Sequence, residues 1–476
     1  MLFNSFHFLF FFIVVTTLYF VLPFSKRWIL LLASSCYFYM AFIPVYILIL
    51  GFTIVIDYFA GIYIENAEGA RRKLFLTFSL IANIGVLAVF KYYNFLNLNF
   101  TFLLHGFGLS NPVPFLAILL PIGLSFHTFQ AMSYTIEVYR GRQKAERHFG
   151  IYSLYVMFYP QLVAGPIERP QNLLHQFREK YYFEYFRVVE GLKLMLWGFF
   201  KKIVIADRLA IYVNAVYNNP DQHTGMTLLL ATIFFAFQIY CDFSGYSDIA
   251  IGAAKVMGFK LMTNFNRPYF ARNISEFWKR WHISLSTWFK DYLYISLGGN
   301  RTSIPRWYLN LFLVFLISGL WHGANWTYII WGGLNGFYLV FAIISQGYRN
   351  KFNKLTGIDK LPKLNHLFQV LITFFLSCFA WIFFRANNVT DAFTIIKKIS
   401  KLDGAVFIDN PSIMIYSFLG ILILFLVEFK KEFYKGDFSF MENKSWVVRN
   451  FSYAVLLILI LLIGVFDGGQ FIYFQF

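Results

Sequence analysis

Charged residues are scarce in this sequence, and acidic residues are the scarcest of them. Charged side chains make up 14% of the 476 residues, and Asp and Glu together number only 24. An ordinary soluble domain carries about 25% charged residues. Apolar residues make up 58% of the chain and aromatic residues 22%, which is more than a soluble globule of this size buries. Disorder and coiled coil are excluded, and an all-α polytopic membrane protein is predicted.

Cysteine is also rare. The three cysteines, Cys36, Cys241 and Cys378, each lie inside an apolar run. This placement is typical of packing residues and excludes a secreted disulfide scaffold. His282 and His322 could bind a metal, but the sequence offers no third ligand, so no metal site is predicted.

Basic residues are the exception to this scarcity, with a net charge of +17. Their clusters fall between apolar runs, which is typical of the inner loops of membrane proteins, so nucleic-acid binding is not predicted. No Lys or Arg precedes Lys26. We therefore expect an external N-terminus and no cleavable signal peptide. The stretch 255–306 carries nine Lys and Arg and is predicted to lie inside, whereas the tail 467–476 carries none and is predicted to lie outside.

Twelve apolar runs are candidate membrane spans, since a hydrocarbon core of about 30 Å needs roughly 20 helical residues. They are residues 6–23, 28–43, 45–64, 74–90, 115–138, 188–206, 226–243, 308–320, 327–346, 366–384, 412–427 and 450–466. Segments 150–166 and 245–258 are predicted half-spans. We expect about 11–12 transmembrane helices plus re-entrant segments, in a single domain over residues 1–476.

One of these runs is too short to cross. Residues 308–320 would form a helix of about 20 Å, so we expect a hairpin whose tip, 321–326, stops within the membrane in a buried chamber. The tip contains His322, the only His, Asp, Glu, Lys or Arg between Arg306 and Arg349. Such a residue is a functional candidate by default. The alternative is a core histidine that holds the hairpin closed.

A second cluster lies in the Trp-rich segment 278–288. If this segment is one helix, His282 and Ser286 share a face at i, i+4 spacing, with Trp278 one turn earlier. The alternative is a membrane-surface helix anchored by its Trp and Lys side chains.

A third cluster is segment 241–248, which follows a long apolar run and carries Asp242 and Asp248. Asp242 is the stronger functional candidate of the two. The alternative is a helix break whose Asp and Ser side chains cap a following helix over 246–258.

Several reaction types lack their motifs in this sequence. There is no phosphate loop ending in Gly-Lys-Ser/Thr, no His-Glu-x-x-His, no Gly-x-Ser-x-Gly and no His-x4-Asp. A buried neutral histidine suits general-base work on a hydroxyl, whose oxygen then attacks an activated acyl group. A second histidine could orient a reactant or donate to the developing oxyanion. These residues alone indicate a membrane enzyme or transporter with a buried histidine.

Several segments together resemble the membrane-bound O-acyltransferase superfamily, and within it the bacterial alginate O-acetyltransferase type. The D-alanyl transferases of teichoic acid are similar. The segments are Trp321-His322-Gly323 and residues 121–126, 164–170, 241–248, 281–292, 297–301 and 471–476.

The resemblance implies a ring of helices around a thinned centre, with a central tunnel joining the two membrane faces. Acetyl-CoA would enter from the cytoplasm as acyl donor, with no bound cofactor, and the acetyl group would leave outward. His322 matches the family's invariant histidine, and His282 matches its second conserved polar position. The residues expected to bind substrate are Trp281, Ser286, Asp242, Asp248, Trp321 and Asn325.

The function implied is O-acetylation of an exported, alginate-like polysaccharide from the bacterial inner membrane. The lipid bilayer and an extracytoplasmic SGNH-hydrolase-like acetyltransferase would be its partners, and the basic stretch 255–306 could help to hold the CoA phosphates. Alternative acceptors are a lipid, a protein or teichoic acid. An alternative from another class is a secondary transporter, against which the absence of an inverted sequence repeat argues.

The C-terminal residues 471–476 are mostly aromatic and follow the flexible Asp467-Gly468-Gly469. They resemble the aromatic C-terminal motif of a small companion protein in the D-alanylation system. We expect this tail to dock near His322, where Tyr473 would position the outgoing acetyl group or carry it as a relay. The alternative is an interfacial aromatic belt.

Overall fold

The computed structural model describes residues 1–117, 121–434, 443–466 and Ile472, which form helices and connecting loops without a β-strand. Eight helical stretches within this part of the chain are long and apolar enough to cross a membrane. They are Pro44–Asn66, Gly69–Gly106, Gly225–Met257, Ile304–His322, Trp326–Ile344, Pro362–Arg385, Pro411–Phe433 and Trp446–Ile463. The prediction of an all-α, multi-pass membrane protein is confirmed.

In the part of the chain that the structure describes, fewer helices reach spanning length than the apolar runs predict. Runs 6–23, 28–43 and 115–138 form helices of 16, 17 and 16 residues. Large apolar side chains are exposed on the long helices, such as Phe102 at 68% and Leu462 at 77%. Exposure on this scale fits side chains that contact lipid.

The chain packs as two compact units. The first comprises residues 1–195 and 247–262, and the second comprises 196–246 and 263–472, within the part of the chain that is described. The first holds α1 (Phe6–Val21), α2 (Phe24–Met40), α3 (Ile47–Asn66), α4 (Gly69–Leu87), α5 (Tyr93–Gly106), α6 (Leu124–Tyr139), α7 (Phe149–Met157), α8 (Tyr159–Leu162), α9 (Pro170–Leu173) and most of α10 (Tyr185–Phe199).

The second unit holds the remaining helices and most of α12. They are α11 (Asp207–Tyr217), α12 (Gly225–Met257), α13 (Ile274–Arg280), α14 (Ile283–Trp288), α15 (Ile304–His322), α16 (Trp326–Ile344), α17 (Gln346–Thr356), α18 (Pro362–Arg385), α19 (Val389–Ile399), α20 (Pro411–Phe433) and α21 (Trp446–Ile463). Among the described residues, three π-helical segments interrupt the α-helices, at Ala88–Tyr92, Phe200–Ala206 and Phe289–Tyr294.

A buried polar network joins α3, α4 and α6 in the first unit. The Asp57 carboxylate accepts from the Ser79 hydroxyl at 2.6 Å and from the Asn83 amide at 2.8 Å, and Ser79 also bonds Thr135 at 3.0 Å. All four residues are fully buried. Hydrogen bonds of this kind hold membrane helices together where apolar burial provides little net attraction between them.

Helix α12 lacks the break that the sequence suggests. Helix α12 runs unbroken through segment 241–248, so the predicted break with its caps and the half-span 245–258 are wrong. The polar side chains of that segment find partners outside the helix: Lys202 pairs with Asp242 and Lys201 donates to Ser244. A helix end is therefore not needed to satisfy them.

The predicted short arm 308–320 is also wrong. Helix α15 has 19 residues, about 28 Å in length, which is enough to span. The apolar pattern misses its first turn because Pro305 opens the helix, where proline is favourable. The indole of Trp307 adds a bond to the Tyr294 hydroxyl at 2.9 Å.

Helices α15 and α16 approach closely through glycines. A Cβ placed on Gly319 would lie 2.2 Å from the carbonyl oxygen of Tyr328, and one on Gly332 would lie 2.4 Å from that of Phe315. Small residues at such positions let backbones meet, which is the usual packing device of membrane helices. This contact fixes the end of α15, where His322 lies.

We expect Gly332→Ala to destabilise the protein, because its methyl group has no room against α15. Overpacking of this kind costs about 1–3 kcal/mol, occasionally more. Gly333→Ala is the matched control, since the nearest atom to its Cβ is 3.9 Å away. Thermal unfolding of both variants in detergent measures the difference. Equal unfolding temperatures would show that the contact does not constrain α15.

Candidate active site

His282 lies in a sharp break between two short helices. Helix α13 ends at Arg280, α14 begins at Ile283, and His282 itself has φ 42° and ψ 55°. The left-handed region is costly for a residue other than Gly or Asn, and such conformations concentrate at functional sites. Segment 278–288 is not one continuous helix, because this positive φ turns the chain and buries the imidazole completely.

The surface-helix alternative is also wrong. Trp278, Trp281 and Trp288 are 8%, 1% and 7% exposed, so they pack inside the protein. Trp281 contacts the rings of Phe277, at 5.5 Å between centroids, and Trp381, at 5.0 Å.

Asn264 determines which nitrogen of His282 carries the proton. Its Oδ1 accepts from the backbone N–H of Ser284 at 3.2 Å and from the Ser284 hydroxyl at 2.9 Å, and it lies 3.1 Å from His282 Nδ1. Since Oδ1 is an acceptor, Nδ1 is the donor, and Nε2 is the acceptor nitrogen of the neutral ring. His282 therefore suits orientation of a reactant hydroxyl better than donation to an oxyanion.

Burial lowers the pKa of His282 to about 3, because desolvation penalises the charged imidazolium. The unfolded chain binds this proton near pH 6.5, so stability is lost as the pH falls from about 6.5 towards 3, by at most about 1.4 kcal/mol per pH unit. We expect the unfolding temperature of His282→Asn in detergent to fall less than that of the wild type between pH 7.5 and pH 5. Equal shifts in the two proteins would contradict a neutral, desolvated His282.

His322 is the last residue of α15 and is 4% exposed. Three aromatic rings contact it, with ring centroids at 4.9 Å for Trp321, 4.9 Å for Trp331 and 5.4 Å for Phe384. His322 is therefore an ionisable side chain that is surrounded by aromatic rings and shielded from solvent, as suits a residue that takes a proton from a bound reactant.

Trp321 connects the two histidines. Its ring contacts His322 at 4.9 Å and His282 at 6.4 Å between centroids. The structure thus brings together, in the second unit, the two histidines and the tryptophan that the sequence identified. It adds Trp331 and Trp381, which stack on each other at 5.8 Å.

Sequence reasoning missed Asn264, Trp331 and Trp381. No motif distinguishes Asn264, which bonds a residue 18 positions away. The two tryptophans lie in apolar spans, where aromatic residues are common in this chain. The one signal that could have identified them is a tryptophan in the middle of a membrane-spanning helix, because its indole N–H needs a hydrogen-bond acceptor there.

Two buried indole groups near His322 have no hydrogen-bond acceptor among the described residues. These are the Nε1 atoms of Trp278 and Trp381. Trp331 contacts both of their rings, at 5.7 Å and 5.8 Å, and it also contacts His322. Buried donors nearly always have partners, so these two N–H groups are suited to a carbonyl oxygen of a bound reactant.

Two other predicted substrate residues have structural partners. The Ser286 hydroxyl donates to the Trp281 carbonyl at 3.2 Å, within the turn that positions His282. Asn325 caps α16, since its Oδ1 accepts from the Thr327 N–H at 3.1 Å. Both hold the backbone beside a histidine, and substrate binding by their side chains remains a prediction.

The two predicted carboxylates differ in their surroundings. Asp242 is 2% exposed and pairs with Lys202 at 2.5 Å. Asp248 is half-buried on α12 and belongs to the first unit. Tyr473 lies outside the described residues.

Part of the basic stretch 255–306 is neutralised by ion pairs. Arg267 and Arg280 bond Glu432 at 2.7 Å and 2.8 Å, and Arg280 also bonds Glu276 at 2.8 Å. These arginines are engaged within the fold, which reduces their availability for CoA phosphates. Among the described residues, no three His, Cys, Asp or Glu side chains are grouped so as to hold a metal ion.

This geometry defines a membrane protein with two buried histidines in an aromatic pocket, and comparison with known proteins supplies the family. The sequence matches the membrane-bound O-acyltransferase family over residues 145–386. It is 40% identical over 393 residues to the probable alginate O-acetylase AlgI of Pseudomonas aeruginosa, covering 82% of this chain and 73% of that protein. It is 37% identical over 439 residues to the peptidoglycan O-acetyltransferase of Helicobacter pylori, covering 85% and 80%.

A more distant relative is the teichoic acid D-alanyltransferase of Bacillus subtilis, which is 28% identical over 281 residues, covering 56% of this chain and 69% of that protein. The chain belongs to the membrane-bound O-acyltransferase family, as the resemblance of its segments predicts. It is an O-acyltransferase.

Proposed function

We propose that this chain transfers acetyl groups from acetyl-CoA, through the bacterial inner membrane, for O-acetylation of an exported polysaccharide. The observation that carries the proposal is the pairing of His322 and His282 around Trp321 in a chain with O-acetylase relatives. The relatives act on alginate and peptidoglycan by name, and both are polymers outside the cytoplasmic membrane. The acceptor class of this chain follows by analogy.

In the proposed reaction, His322 takes the proton of an acceptor hydroxyl as the oxygen bonds to the acetyl carbonyl carbon. The carbon–sulfur bond of acetyl-CoA then breaks, and the proton passes to the departing CoA thiolate. His282 Nε2 accepts a hydrogen bond from a second donor group of the bound reactants, since the single proton of the acceptor hydroxyl goes to His322. The indole N–H groups of Trp278 and Trp381 donate to the carbonyl oxygen. Hydrogen-bond donors that point at the negative charge developing on the carbonyl oxygen, in a site that excludes water, are among the larger contributions to catalysis.

In the proposed orientation, the N-terminus and the C-terminal tail lie outside, and acetyl-CoA binds from the inside. This orientation is inferred from the positive-inside distribution of Lys and Arg. An SGNH-hydrolase-like partner outside the membrane would attach the acetyl group to the sugar. We further propose a route by which the acetyl group reaches this partner through the C-terminal tail. Tyr473 would accept the acetyl group on its phenolic oxygen and pass it to a serine of that partner.

The donor is tested with purified protein in vesicles supplied with acetyl-CoA labelled in the acetyl group. We expect CoA release that depends on the protein, with label recovered as an ester on the partner or polymer. Label that crosses the membrane without CoA release would support transport instead. Label recovered in lipid would support a lipid acceptor.

The relay is tested by comparing Tyr473→Phe with deletion of residues 471–476. We expect both variants to lose transfer to the partner, because neither has the phenolic oxygen. Full transfer by Tyr473→Phe with failure of the deletion variant would make the tail a docking element. Full transfer by both would make it an interfacial belt.

A further inference from the structure

The second unit contains a buried ionic cluster that contacts neither histidine in any described bond. Lys202, Asp207 and Asp242 are 3%, 6% and 2% exposed, and we call these three residues the ionic anchor. The Lys202 ammonium bonds Asp207 at 2.7 Å and Asp242 at 2.5 Å. A buried charge is costly unless it is paired and hydrogen-bonded. One ammonium facing two carboxylates leaves the carboxylate oxygens with further capacity to accept.

A backbone amide near the C-terminus uses part of that capacity. The N–H of Ile472 donates to Asp242 Oδ2 at 2.6 Å, and Ile472 is 3% exposed. A hydrogen bond from an amide to a carboxylate is charge-assisted and stronger than a neutral one. The contact joins residues 230 positions apart in sequence, so local chain geometry does not impose it.

The segment that leaves α21 is held by the same part of the fold. The N–H of Val465 donates to the carbonyl of Ile203 at 3.1 Å, and Arg208 donates to the carbonyl of Ile463. Both contacts fall on or beside the π-helical segment Phe200–Ala206, which also carries Lys202. The end of the chain therefore contacts this part of the fold at Ile463, Val465 and Ile472.

The anchor shares one turn of α12 with the histidine pocket. Asp242 bonds Ile472, and the next residue, Phe243, contacts the His282 ring with centroids 4.5 Å apart. From these contacts we infer that the ionic anchor holds the end of this chain at Ile472. Asp242 is thus a positioning residue, which holds the residue directly before Tyr473 inside the unit that contains both histidines. Its effect on transfer rests on the proposed function, whereas the seating of the peptide does not.

The test removes each partner of the bond between Ile472 and Asp242 in turn. Ile472→Pro lacks the N–H that Asp242 accepts, and Ile472→Val is the matched control with the N–H retained. The full-length proteins in detergent are digested with a carboxypeptidase, and intact masses are measured. We expect digestion to stop before residue 472 in the wild type and in Ile472→Val, and to continue past it in Ile472→Pro and Asp242→Ala. Digestion past residue 472 at one rate in all four proteins would overturn the inference.

Asp207→Asn shows whether loss of any charge in the cluster has the same effect, because it leaves Asp242 paired with Lys202. We expect its tail to stay protected. The transfer assay is then run on the same proteins, with at least a tenfold loss of ester expected for Ile472→Pro and none for Ile472→Val. A changed digestion pattern with unchanged ester formation would overturn the positioning role. Ester formation absent from the wild type, with digestion as expected, would instead count against the proposed function alone.

Discussion

His322→Ala is expected to abolish acetyl transfer, with a rate loss of about 10²–10⁴, which is the usual contribution of a positioned general base. The reason is that His322 is the titratable side chain at the centre of the aromatic pocket, in contact with Trp321, Trp331 and Phe384. The measurement is protein-dependent CoA release in vesicles, with the acetyl content of the polymer as its cellular counterpart.

Two further variants make this result interpretable. His322→Gln keeps a polar side chain of similar reach but cannot act as a base, so we expect it to be as inactive as His322→Ala while unfolding at the wild-type temperature. His175→Ala removes a histidine whose side chain is 59% exposed and should retain full activity. Normal transfer by well-expressed His322→Ala protein would refute the catalytic role.

Loss of the His282 imidazole is expected to reduce transfer by about 10- to 100-fold, less than loss of His322, because misplacing a reactant costs on this order. The informative variant is His282→Asn. Asparagine tolerates the left-handed backbone at this position, so the variant separates the chemistry of the ring from the cost of the φ angle. His282→Ala adds the backbone effect.

A match between the two His282 variants in CoA release would show that the imidazole, and not the backbone turn, is what transfer requires. Asn264→Asp is a useful companion, because a carboxylate still accepts from Nδ1 and keeps the same ring nitrogen as acceptor. If both His282 variants release CoA more slowly than His322→Ala at equal stability, the roles assigned to the two histidines are reversed.

The fold class and the burial of His322 could be predicted from the sequence, because each rests on a strong physical penalty. A charged fraction of 14% with 58% apolar residues leaves few alternatives to a membrane protein. A histidine alone in a long apolar run, as His322 is, stands out because burial of such a group is costly. These penalties act locally, so a single sequence displays them.

What the sequence did not predict depends on contacts between distant residues. Segment 241–248 looks like a helix break because its polar side chains suit caps, yet Lys202 satisfies Asp242 from another helix. The turn at His282 needs a positive φ that a histidine does not signal, and Asn264 supports it from 18 residues away. Hydropathy cannot distinguish a tryptophan that contacts His322 from one that packs elsewhere.

The proposed function requires that the His322 pocket pass an acetyl group from acetyl-CoA to an oxygen acceptor outside the membrane. The most direct measurement uses sealed inside-out vesicles, with the labelled donor outside and the partner enclosed, and compares wild type with His322→Ala. We predict one labelled ester inside for each CoA released by the wild type, and neither product from His322→Ala. Equal ester formation by the two proteins, or CoA release without any enclosed ester, would contradict the claim.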